Sequence, residues 1–336
     1  MATIVDIAQK LNISTSTVSR ALCDNEGVSE KTKALVKKTA KEMNYSLNRN
    51  AKNLVMQKSY TIGFMIPDIS DNFFSKSAYG VEEALSGSKF SLAYTNVQRK
   101  EDLILEYLRR AVEYKYDGVF ITLDNWTEKI VNQLERMSIP IISLRRKTPE
   151  GIQGIPYVDS NHIGGLKQVL KHLIDLGHKD IGFIGFDTTV GNERTRCYIS
   201  AAEEMNIPVY RVDNYSFHNA QIRISLGYKS AETLLSRYPK LTALVAGDDQ
   251  LALGALQYAA EHNIQIPRDL SITGYDDRDI SNLFCIQLTT ARQELFDIGY
   301  KAGTMMLDMI NNPSLRPENV EIDTKLVIRK TTARCK

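Results

Sequence analysis

Carboxylate and guanidinium side chains follow short apolar runs at several points of the sequence, and two phenylalanines stand among them. The residues with this placement are Asp68, Asp71, Phe73, Phe74, Arg145, Arg194, Asp248, Asp249, Asp276 and Asp277. Carboxylates and guanidinium groups bind hydroxyls through bidentate hydrogen bonds, and an aromatic face stacks on a sugar ring. Brought together, these side chains would bind a small polyhydroxylated molecule. Taken singly, each is an ordinary helix cap or surface charge.

A second polar group lies near the N-terminus, where three hydroxyl side chains stand close to one arginine. Thr15, Ser16 and Ser19 carry small hydrogen-bonding groups. Arg20 offers a bidentate donor of the kind that pairs with guanine in the major groove of DNA. These four side chains face outward on a helix that begins after Ser14. The pattern predicts a surface that reads DNA bases, with plain helix caps and a solvated arginine as the alternative.

Three short helical patterns within residues 1–45 position this second group. Thr3 and Asp6 resemble a capping box at the start of the first helix. Ser14 can cap the second helix, and Ser29 can cap the third. The short spacing of the first two helices predicts a helix-turn-helix. The residues expected to face inward are Ile4, Ile7, Ala8 and Leu11 on the first helix, Val18, Ala21 and Leu22 on the second, and Ala34, Leu35 and Met43 on the third.

From residue 60 onward the pattern changes to nearly continuous apolar runs that alternate with helical stretches, as buried parallel strands require. Two consecutive series of runs predict an α/β body with two open parallel sheets side by side. Such sheets bind ligands at the carboxyl ends of their strands, in the crevice between the lobes, and this rule selects the first group of polar residues. The runs cover 60–67, 90–94, 118–122 and 139–144 in the first series, and 180–185, 241–246 and 270–275 in the second.

Length, charge and composition limit the function classes. With 336 residues, 43% hydrophobic and 24% charged, the chain has the composition of a globular protein with room for two domains. Residues 1–60 hold ten Lys/Arg against five Asp/Glu, whereas the remainder carries a net charge of −3, so only the N-terminal part suits a polyanion. No apolar stretch is long enough to span a bilayer, and no signal-peptide pattern opens the sequence. We therefore expect a cytoplasmic protein without a membrane partner.

Three N-terminal segments carry a more specific motif: TIVDIA at 3–8, ISTSTVSRAL at 13–22 and VSEKT at 28–32. Together they closely resemble the DNA-binding headpiece of the lactose/galactose-repressor family, and the resemblance continues across the whole chain. It implies a headpiece over residues 1–46 in which the side chains at 15, 16 and 20 read bases in the major groove. The DNA-binding residues predicted within this headpiece are Thr3, Thr15, Ser16, Ser19 and Arg20.

Residues 47–59 form a polar, basic linker with marginal helix propensity. The family resemblance implies that this linker is a hinge helix that orders on DNA, where two copies insert a leucine into the minor groove and kink the duplex. Leu54 matches that leucine, Ala51 lies beside it, and Asn48 is the expected cap. Leu47 departs from the family, which has proline at this position. An inert linker is the alternative interpretation.

The resemblance also implies that residues 60–336 form a periplasmic-binding-protein-like body that binds a small effector between two lobes. Lobe one is expected over about 60–160 and 291–321, and lobe two over about 161–290 and 322–336. The aromatic residue that stacks on the ligand is expected at Tyr215 or Phe217. The matching effector-binding positions are Asp71, Phe73, Arg145, Arg194, Asp248, Asp276 and Gln293.

Two of these positions depart from the family. Arg145 stands where members that bind neutral sugars have an acidic residue, and Asp248 stands where they have asparagine. With Arg194 in the same cleft, two guanidinium groups would face the ligand, and a carboxylate or phosphate would satisfy both. We therefore expect a sugar acid or a sugar phosphate. The alternative is a neutral sugar, with Arg145 held in a salt bridge to Asp248 or Asp276.

Three functional classes compete: an effector-controlled transcriptional regulator, a free sugar-binding protein and a cleft enzyme. Motifs for nucleotide hydrolysis, zinc proteolysis and α/β-hydrolase chemistry are missing from the sequence. A free sugar-binding protein would carry a signal peptide and no basic headpiece. We predict a repressor that is not an enzyme, needs no cofactor or metal and binds a pseudo-palindromic operator as a homodimer. No leucine-heptad tail follows residue 330, which favours a dimer over a tetramer.

Overall fold

The computed structural model describes residues 2–22, 26–45, 58–71, 73–186, 188–214 and 220–336. The chain divides into two compact units. The first covers Met1–Tyr60 with Tyr114–Asp117, and the second covers Thr61–Glu113 with Gly118–Lys336. Within the described ranges, no helix combines the length and the hydropathy needed to cross a membrane.

The described part of the first unit contains the helices α1 (Ile4–Leu11), α2 (Thr15–Leu22) and α3 (Glu30–Glu42). The predicted capping box is present at α1. The Thr3 hydroxyl accepts a hydrogen bond from the Asp6 backbone N–H at 3.3 Å, and the Asp6 carboxylate accepts one from the Thr3 N–H at 2.7 Å. Ser14 and Ser29 accept hydrogen bonds from backbone N–H groups three residues further on, so each caps the helix that follows it. The helix-turn-helix prediction is confirmed.

The apolar face of α3 differs from the one predicted. Ala34 is exposed and Leu35 is 51% exposed, whereas Val36 and Ala40 are buried. Met43 packs against this core as predicted. Leu35 and Val36 are adjacent and similarly apolar, so only the position of α1 and α2 decides which of them faces inward. The inward residues predicted for α1 and α2 all belong to this core: Ile4, Ile7, Ala8, Leu11, Val18, Ala21 and Leu22.

The second unit is built on two six-stranded sheets. Its strands are β1 (Thr61–Ile66), β2 (Ser91–Asn96), β3 (Gly118–Ile121), β4 (Ile141–Leu144), β5 (Tyr157–Asn161), β6 (Ile181–Phe186), β7 (Tyr210–Asn214), β8 (Ala243–Ala246), β9 (Ser271–Asp276), β10 (Thr289–Arg292), β11 (Val320–Asp323) and β12 (Lys325–Val327). The strand order is β11-β5-β4-β3-β1-β2 in the first sheet and β12-β10-β9-β8-β6-β7 in the second. Neighbouring strands are parallel, except that β12 is antiparallel to β10.

Helices follow most of the strands and cover the sheets. They are α4 (Phe73–Leu85), α5 (Glu101–Glu113), α6 (Glu128–Glu135), α7 (His162–Asp175), α8 (Thr189–Glu204), α9 (Ala220–Arg237), α10 (Asp249–Glu261) and α11 (Leu295–Asn311), with a short 3₁₀ helix at Asp279–Asn282. In the second sheet, α9 and α10 pack on one face and α7 and α8 on the other, so its central strands β6, β8 and β9 are buried on both sides. The α/β prediction with two parallel sheets is confirmed.

The chain passes between the two sheets three times. It leaves the first sheet after β5, returns after β10 so that α11 packs on the first sheet, and ends with β11 in the first sheet and β12 in the second. The seven predicted apolar runs correspond to β1 to β4, β6, β8 and β9. The strands β5, β7 and β10 to β12 were missed because they are more polar or shorter than those runs.

Helices α4 and α11 pack side by side in unusually close contact against the first sheet. A Cβ atom added at Gly80 would lie 2.1 Å from the carbonyl oxygen of Phe296, and one added at Gly299 would lie 2.0 Å from that of Ser77. These glycines therefore let the two helix backbones approach each other, which a larger residue would prevent.

We predict that Gly299→Ala destabilises the second unit by about 1–3 kcal/mol, because the added methyl group forces α4 and α11 apart. Urea denaturation of the full chain measures the loss as a lower midpoint. Lys301→Ala, an exposed change on the same helix, is the control. An unchanged midpoint for Gly299→Ala would show that the helices can separate without losing packing energy.

Candidate functional site

The carboxyl ends of the strands from both sheets enclose a cavity in the second unit. Six guanidinium groups and four carboxylates are among its lining groups. The first sheet supplies the segments after β1 to β4 and the end of β5, followed by α7. The second sheet supplies the ends of β6 and β9, the segments after β9 and β10, and the helices α8 and α9. The lining residues are Asp71, Phe73, Phe74, Arg99, Asp124, Arg145, Arg146, Asp159, His162, Phe186, Thr188, Val190, Arg194, Arg223, Asp276, Arg278 and Gln293.

Arg145 follows β4 and adopts a left-handed backbone conformation, with φ of 60°. Its side chain is buried, and its guanidinium carbon lies 4.5 Å from the ring centre of Phe73 and 4.6 Å from that of Phe74. Burial and the neighbouring charge of Arg146 lower the pKa of Arg145 to about 9. Its Nε and Nη1 atoms are buried and have no hydrogen-bond partner among the described residues.

Arg194 projects from α8 and is paired. It donates a hydrogen bond of 2.7 Å to Asp276 and another of 2.7 Å to the carbonyl oxygen of Gly247, and it lies over the ring of Tyr275. Asp276 also accepts a 2.6 Å hydrogen bond from the Gln293 amide, whose oxygen accepts one from Ser160. Arg194, Asp276 and Gln293 therefore form one buried network that reaches from the second sheet to β5 of the first.

Arg278 joins the two lobes by pairing with Asp71. The Nη1 atom of Arg278 lies 3.0 Å from Asp71 Oδ1, and its Nε atom lies 3.6 Å from Asp276 Oδ2. Burial opposes the charge of Arg278, but Asp276 and Asp71 outweigh it and raise the pKa of Arg278. The loop that carries Arg278 is held from behind by Asp249, which accepts a 2.7 Å hydrogen bond from the Arg278 backbone N–H.

Two further carboxylates, Asp124 and Asp248, form ion pairs with three other arginines of the cavity. Asp124 pairs with Arg99 and Arg146, and their charges hold the pKa of Asp124 well below its usual range against the effect of burial. Asp248 caps α10 and pairs with Arg223, so Arg223 lines the cavity while Asp248 lies behind it. The alternative in which Arg145 forms a salt bridge to Asp248 or Asp276 is wrong for the described residues, because other arginines occupy both carboxylates.

Asp159, at the end of β5, is the carboxylate of the cavity that no arginine contacts directly. Burial and the nearby charge of Glu193 raise the pKa of Asp159 to about 6. Its Oδ2 atom has no hydrogen-bond partner within the described ranges. His162 lies beside it, and burial together with the charges of Arg194 and Lys147 keeps the pKa of His162 well below its usual value.

Asp159, His162 and Glu193 bring their ligand atoms close enough together to be considered as a metal site. Glu193 is already paired with Lys147 at 3.2 Å. The positive charges that lower the pKa of His162 would also repel a metal cation. The donor set therefore suits hydrogen bonding to a ligand better than metal coordination.

The cavity includes arginines that the sequence analysis did not assign to it. Arg99, Arg146 and Arg278 follow β2, β4 and β9, so the strand-end rule could have selected them along with Asp124 after β3. Arg223 lies on α9, and nothing in the sequence indicated that this helix faces the cavity. Of the seven predicted effector-binding residues, all except Asp248 line it.

The side chains predicted to read DNA lie in the first unit. Thr15, Ser16 and Arg20 are exposed on α2, and Ser19 is half-buried. The hydroxyl oxygens of Ser14 and Ser16 lie 2.7 Å apart. Thr3 acts as the cap of α1. The predicted hinge residues Asn48, Ala51 and Leu54, and the predicted stacking residues Tyr215 and Phe217, lie outside the described residues.

Comparison with known proteins gives matches in both units. The family model described as "Bacterial regulatory proteins, lacI family" matches residues 3–48, and the model described as "Periplasmic binding protein-like domain" matches residues 170–332. The ribose operon repressor of Halalkalibacterium halodurans is 31% identical over 335 residues, which cover 99% of this chain and 97% of that protein.

Two solved structures resemble the chain in fold. A lac repressor dimer bound to operator and the anti-inducer ONPF has a TM-score of 0.86 at 22% identity and covers 99% of each chain. A LacI family transcriptional regulator from Enterococcus faecium with bound ribose has a TM-score of 0.68 at 28% identity, covering 82% of this chain and 100% of that one.

The raised pKa of Asp159 gives a prediction for stability against pH. Because its folded-state pKa of about 6 exceeds the unfolded value of 3.8, ionising Asp159 destabilises the fold as pH rises from about 4 to 7. Asp159→Asn avoids this loss. Its free energy of unfolding relative to wild type should therefore increase by about 2–3 kcal/mol between pH 4 and pH 7.

Urea denaturation at several pH values measures this difference. Asp102→Asn, an exposed change on α5, controls for the general effect of removing a carboxylate. A difference between Asp159→Asn and wild type that stays constant with pH would show that burial does not hinder the ionisation of Asp159.

Proposed function

The chain belongs to the lacI family of bacterial regulatory proteins, and we propose that it is a DNA-binding transcriptional repressor controlled by a small effector in the interlobe cavity. The observation that carries this proposal is the combination of two sites in one chain. An exposed set of hydroxyls with Arg20 lies on α2 of a helix-turn-helix, and a cavity with a buried, unpartnered Arg145 lies between two lobes.

The headpiece is proposed to bind operator DNA through α2. Thr15, Ser16, Ser19 and Arg20 have the chemistry of base readout, and Thr3 is proposed to contribute at the start of α1. Residues 1–46 would act as the headpiece and 47–59 as the hinge, with Asn48, Ala51 and Leu54 at the minor groove. The excess of Lys/Arg within residues 1–60 supplies the sequence-independent attraction to phosphates.

The cavity is proposed as the effector site of a body spanning residues 60–336. Its proposed ligand contacts are Asp71, Phe73, Arg145, Arg194, Asp276 and Gln293, whereas Asp248 would act through Arg223. The Enterococcus faecium regulator contains ribose, which supports a sugar or a sugar derivative for this chain as well. Because Asp71–Arg278 and the network Ser160–Gln293–Asp276 link the lobes, a ligand between them can shift the equilibrium between lobe arrangements and so change DNA affinity.

The other two function classes have less support. Asp71, Asp124 and Asp276 are engaged with arginines, so they are poorly suited to act as general acids or bases. A free sugar-binding protein has no use for a helix-turn-helix. We therefore propose a cytoplasmic homodimer that works without a cofactor and binds its ligand without transforming it.

We predict that the full chain binds a pseudo-palindromic operator and that Arg20→Ala loses about 1–3 kcal/mol of binding free energy at one position of each half-site. Selection from random DNA, followed by fluorescence anisotropy, measures affinity and base preference. Lys38→Ala removes one charge from the exposed face of α3 and should leave base preference intact. Unchanged preference in Arg20→Ala, or affinity insensitive to salt, would contradict base readout by this headpiece.

Leu54→Ala tests the hinge separately. If Leu54 wedges into the central base step, its loss should weaken binding to the selected operator by about 1–3 kcal/mol and hardly affect binding to random DNA. Anisotropy with both DNAs measures the difference. Equal losses on the two DNAs would assign Leu54 to packing instead.

A further inference from the structure

We propose that the effector carries a fixed negative charge, a carboxylate or a phosphate, and that Arg145 is the residue that binds it. The proposal rests on the proposed function of the cavity as an effector site. It specifies the charge of the effector, which neither the fold nor the relatives of this chain provide.

The arginines of the cavity differ in whether a carboxylate pairs with them. Five of the six have a carboxylate within ion-pair distance: Arg99 and Arg146 share Asp124, Arg194 has Asp276, Arg223 has Asp248, and Arg278 has Asp71. Arg145 has no ion pair among the described residues. Two of its three guanidinium nitrogens are buried without a hydrogen-bond partner, which is an unfavourable arrangement for a charged group unless a ligand completes it.

The cavity as a whole has more positive than negative side chains. Its lining includes six guanidinium groups and four carboxylates, and Asp248 behind Arg223 adds a fifth carboxylate. His162 stays neutral because its pKa is lowered by burial and by the arginines. The lining groups therefore sum to one positive charge, because Arg99 and Arg146 share one carboxylate, and Arg145 and Asp159 are the two groups that no ion pair between an arginine and a carboxylate accounts for. A ligand with a single negative charge would neutralise this net charge.

The surroundings of Arg145 suit an anionic ligand better than a neutral one. The rings of Phe73 and Phe74 cover Arg145 but accept no conventional hydrogen bond, so its N–H donors remain available to a ligand. A sugar hydroxyl could accept one of these hydrogen bonds but would add no negative charge to that of the nearby carboxylates Asp71, Asp159 and Asp276. A carboxylate or phosphate accepts two in parallel and neutralises the charge.

A second buried group in the cavity, Asp159, can bind a hydroxyl of the ligand. Asp159 Oδ2 is a buried acceptor without a partner among the described residues, and it lines the same cavity as Arg145. Its free oxygen is suited to a ligand hydroxyl. An anionic group for Arg145 together with a hydroxyl for Asp159 describes a sugar acid or a sugar phosphate.

The test measures ligand binding to the full chain by thermal shift and calorimetry. The probes are matched sets: glucose, glucuronate, gluconate and glucose 6-phosphate, and the corresponding ribose, ribonate and ribose 5-phosphate. Sulfate and acetate serve as fragments of the anionic group alone. Comparing the carboxylate with the phosphate members distinguishes the two sources of charge.

The variants are Arg145→Met, which keeps the volume and removes the charge, and Arg145→Lys, which keeps the charge and removes the bidentate geometry. Arg109→Met, at an exposed position on α5, is the matched control. We expect an anionic probe to bind wild type and Arg109→Met equally. Binding should weaken by about 10- to 100-fold in Arg145→Met and by an intermediate factor in Arg145→Lys.

A second readout separates ligand binding from a merely structural role. Without ligand, Arg145→Met should melt at the same temperature as wild type or higher, because it removes a buried charge that forms no ion pair with the described residues. A lower melting temperature together with unchanged anion binding would assign Arg145 to structure alone and overturn the proposal.

The proposal is also overturned if no anionic probe binds wild type more tightly than Arg145→Met, whatever the neutral sugars do. Binding of a neutral sugar equally to both proteins would leave the cavity as an effector site with a different ligand class. Anion binding that leaves operator affinity unchanged would instead contradict the proposed function while the assignment of Arg145 stands.

Discussion

Asp276 is the acceptor on which the charged cavity depends. It stands at the end of β9 in an unusual backbone conformation, with φ of 115°, and receives hydrogen bonds from Arg194 and Gln293 while Arg278 lies 3.6 Å away. Removing this carboxylate would leave the buried Arg194 without its carboxylate partner and Arg278 with Asp71 alone. Through Gln293 and Ser160 the same network reaches the first sheet. The electrostatics of the ligand site and the contact between the lobes therefore share one group.

Much of this arrangement could be predicted from the sequence. The apolar runs that became β1, β4 and β9 are long or apolar enough to be recognised, and the rule that ligands lie at the carboxyl ends of parallel strands then places Asp71, Arg145 and Asp276 together. The helices of the headpiece could be predicted equally well, because a capping box and a serine cap determine where α1 and α2 begin. In both cases local chemistry and the overall fold give the same answer.

The pairing of charges could not be predicted in the same way. Arg145 and Arg194 have the same side chain and line the same cavity, yet Arg194 is paired with Asp276, whereas Arg145 has no ion pair among the described residues. That difference depends on which carboxylates other parts of the chain bring close to each arginine. Asp71, for example, forms its ion pair with Arg278 of the opposite lobe. The prediction of the inward face of α3 was wrong for a related reason, because only packing distinguishes the exposed Leu35 from the buried Val36. Sequence patterns predict which groups converge, whereas three-dimensional packing decides their partners.

The most direct test of this account is the operator affinity of the full chain in the presence of matched charged and neutral sugars. Fluorescence anisotropy with a selected operator should show that the charged member of one pair changes the affinity by at least about fivefold, whereas its neutral parent has little effect. Arg145→Met should bind the operator as wild type does and should not respond to either sugar. A response of Arg145→Met equal to that of wild type, or a response to the neutral parent alone, would contradict the account.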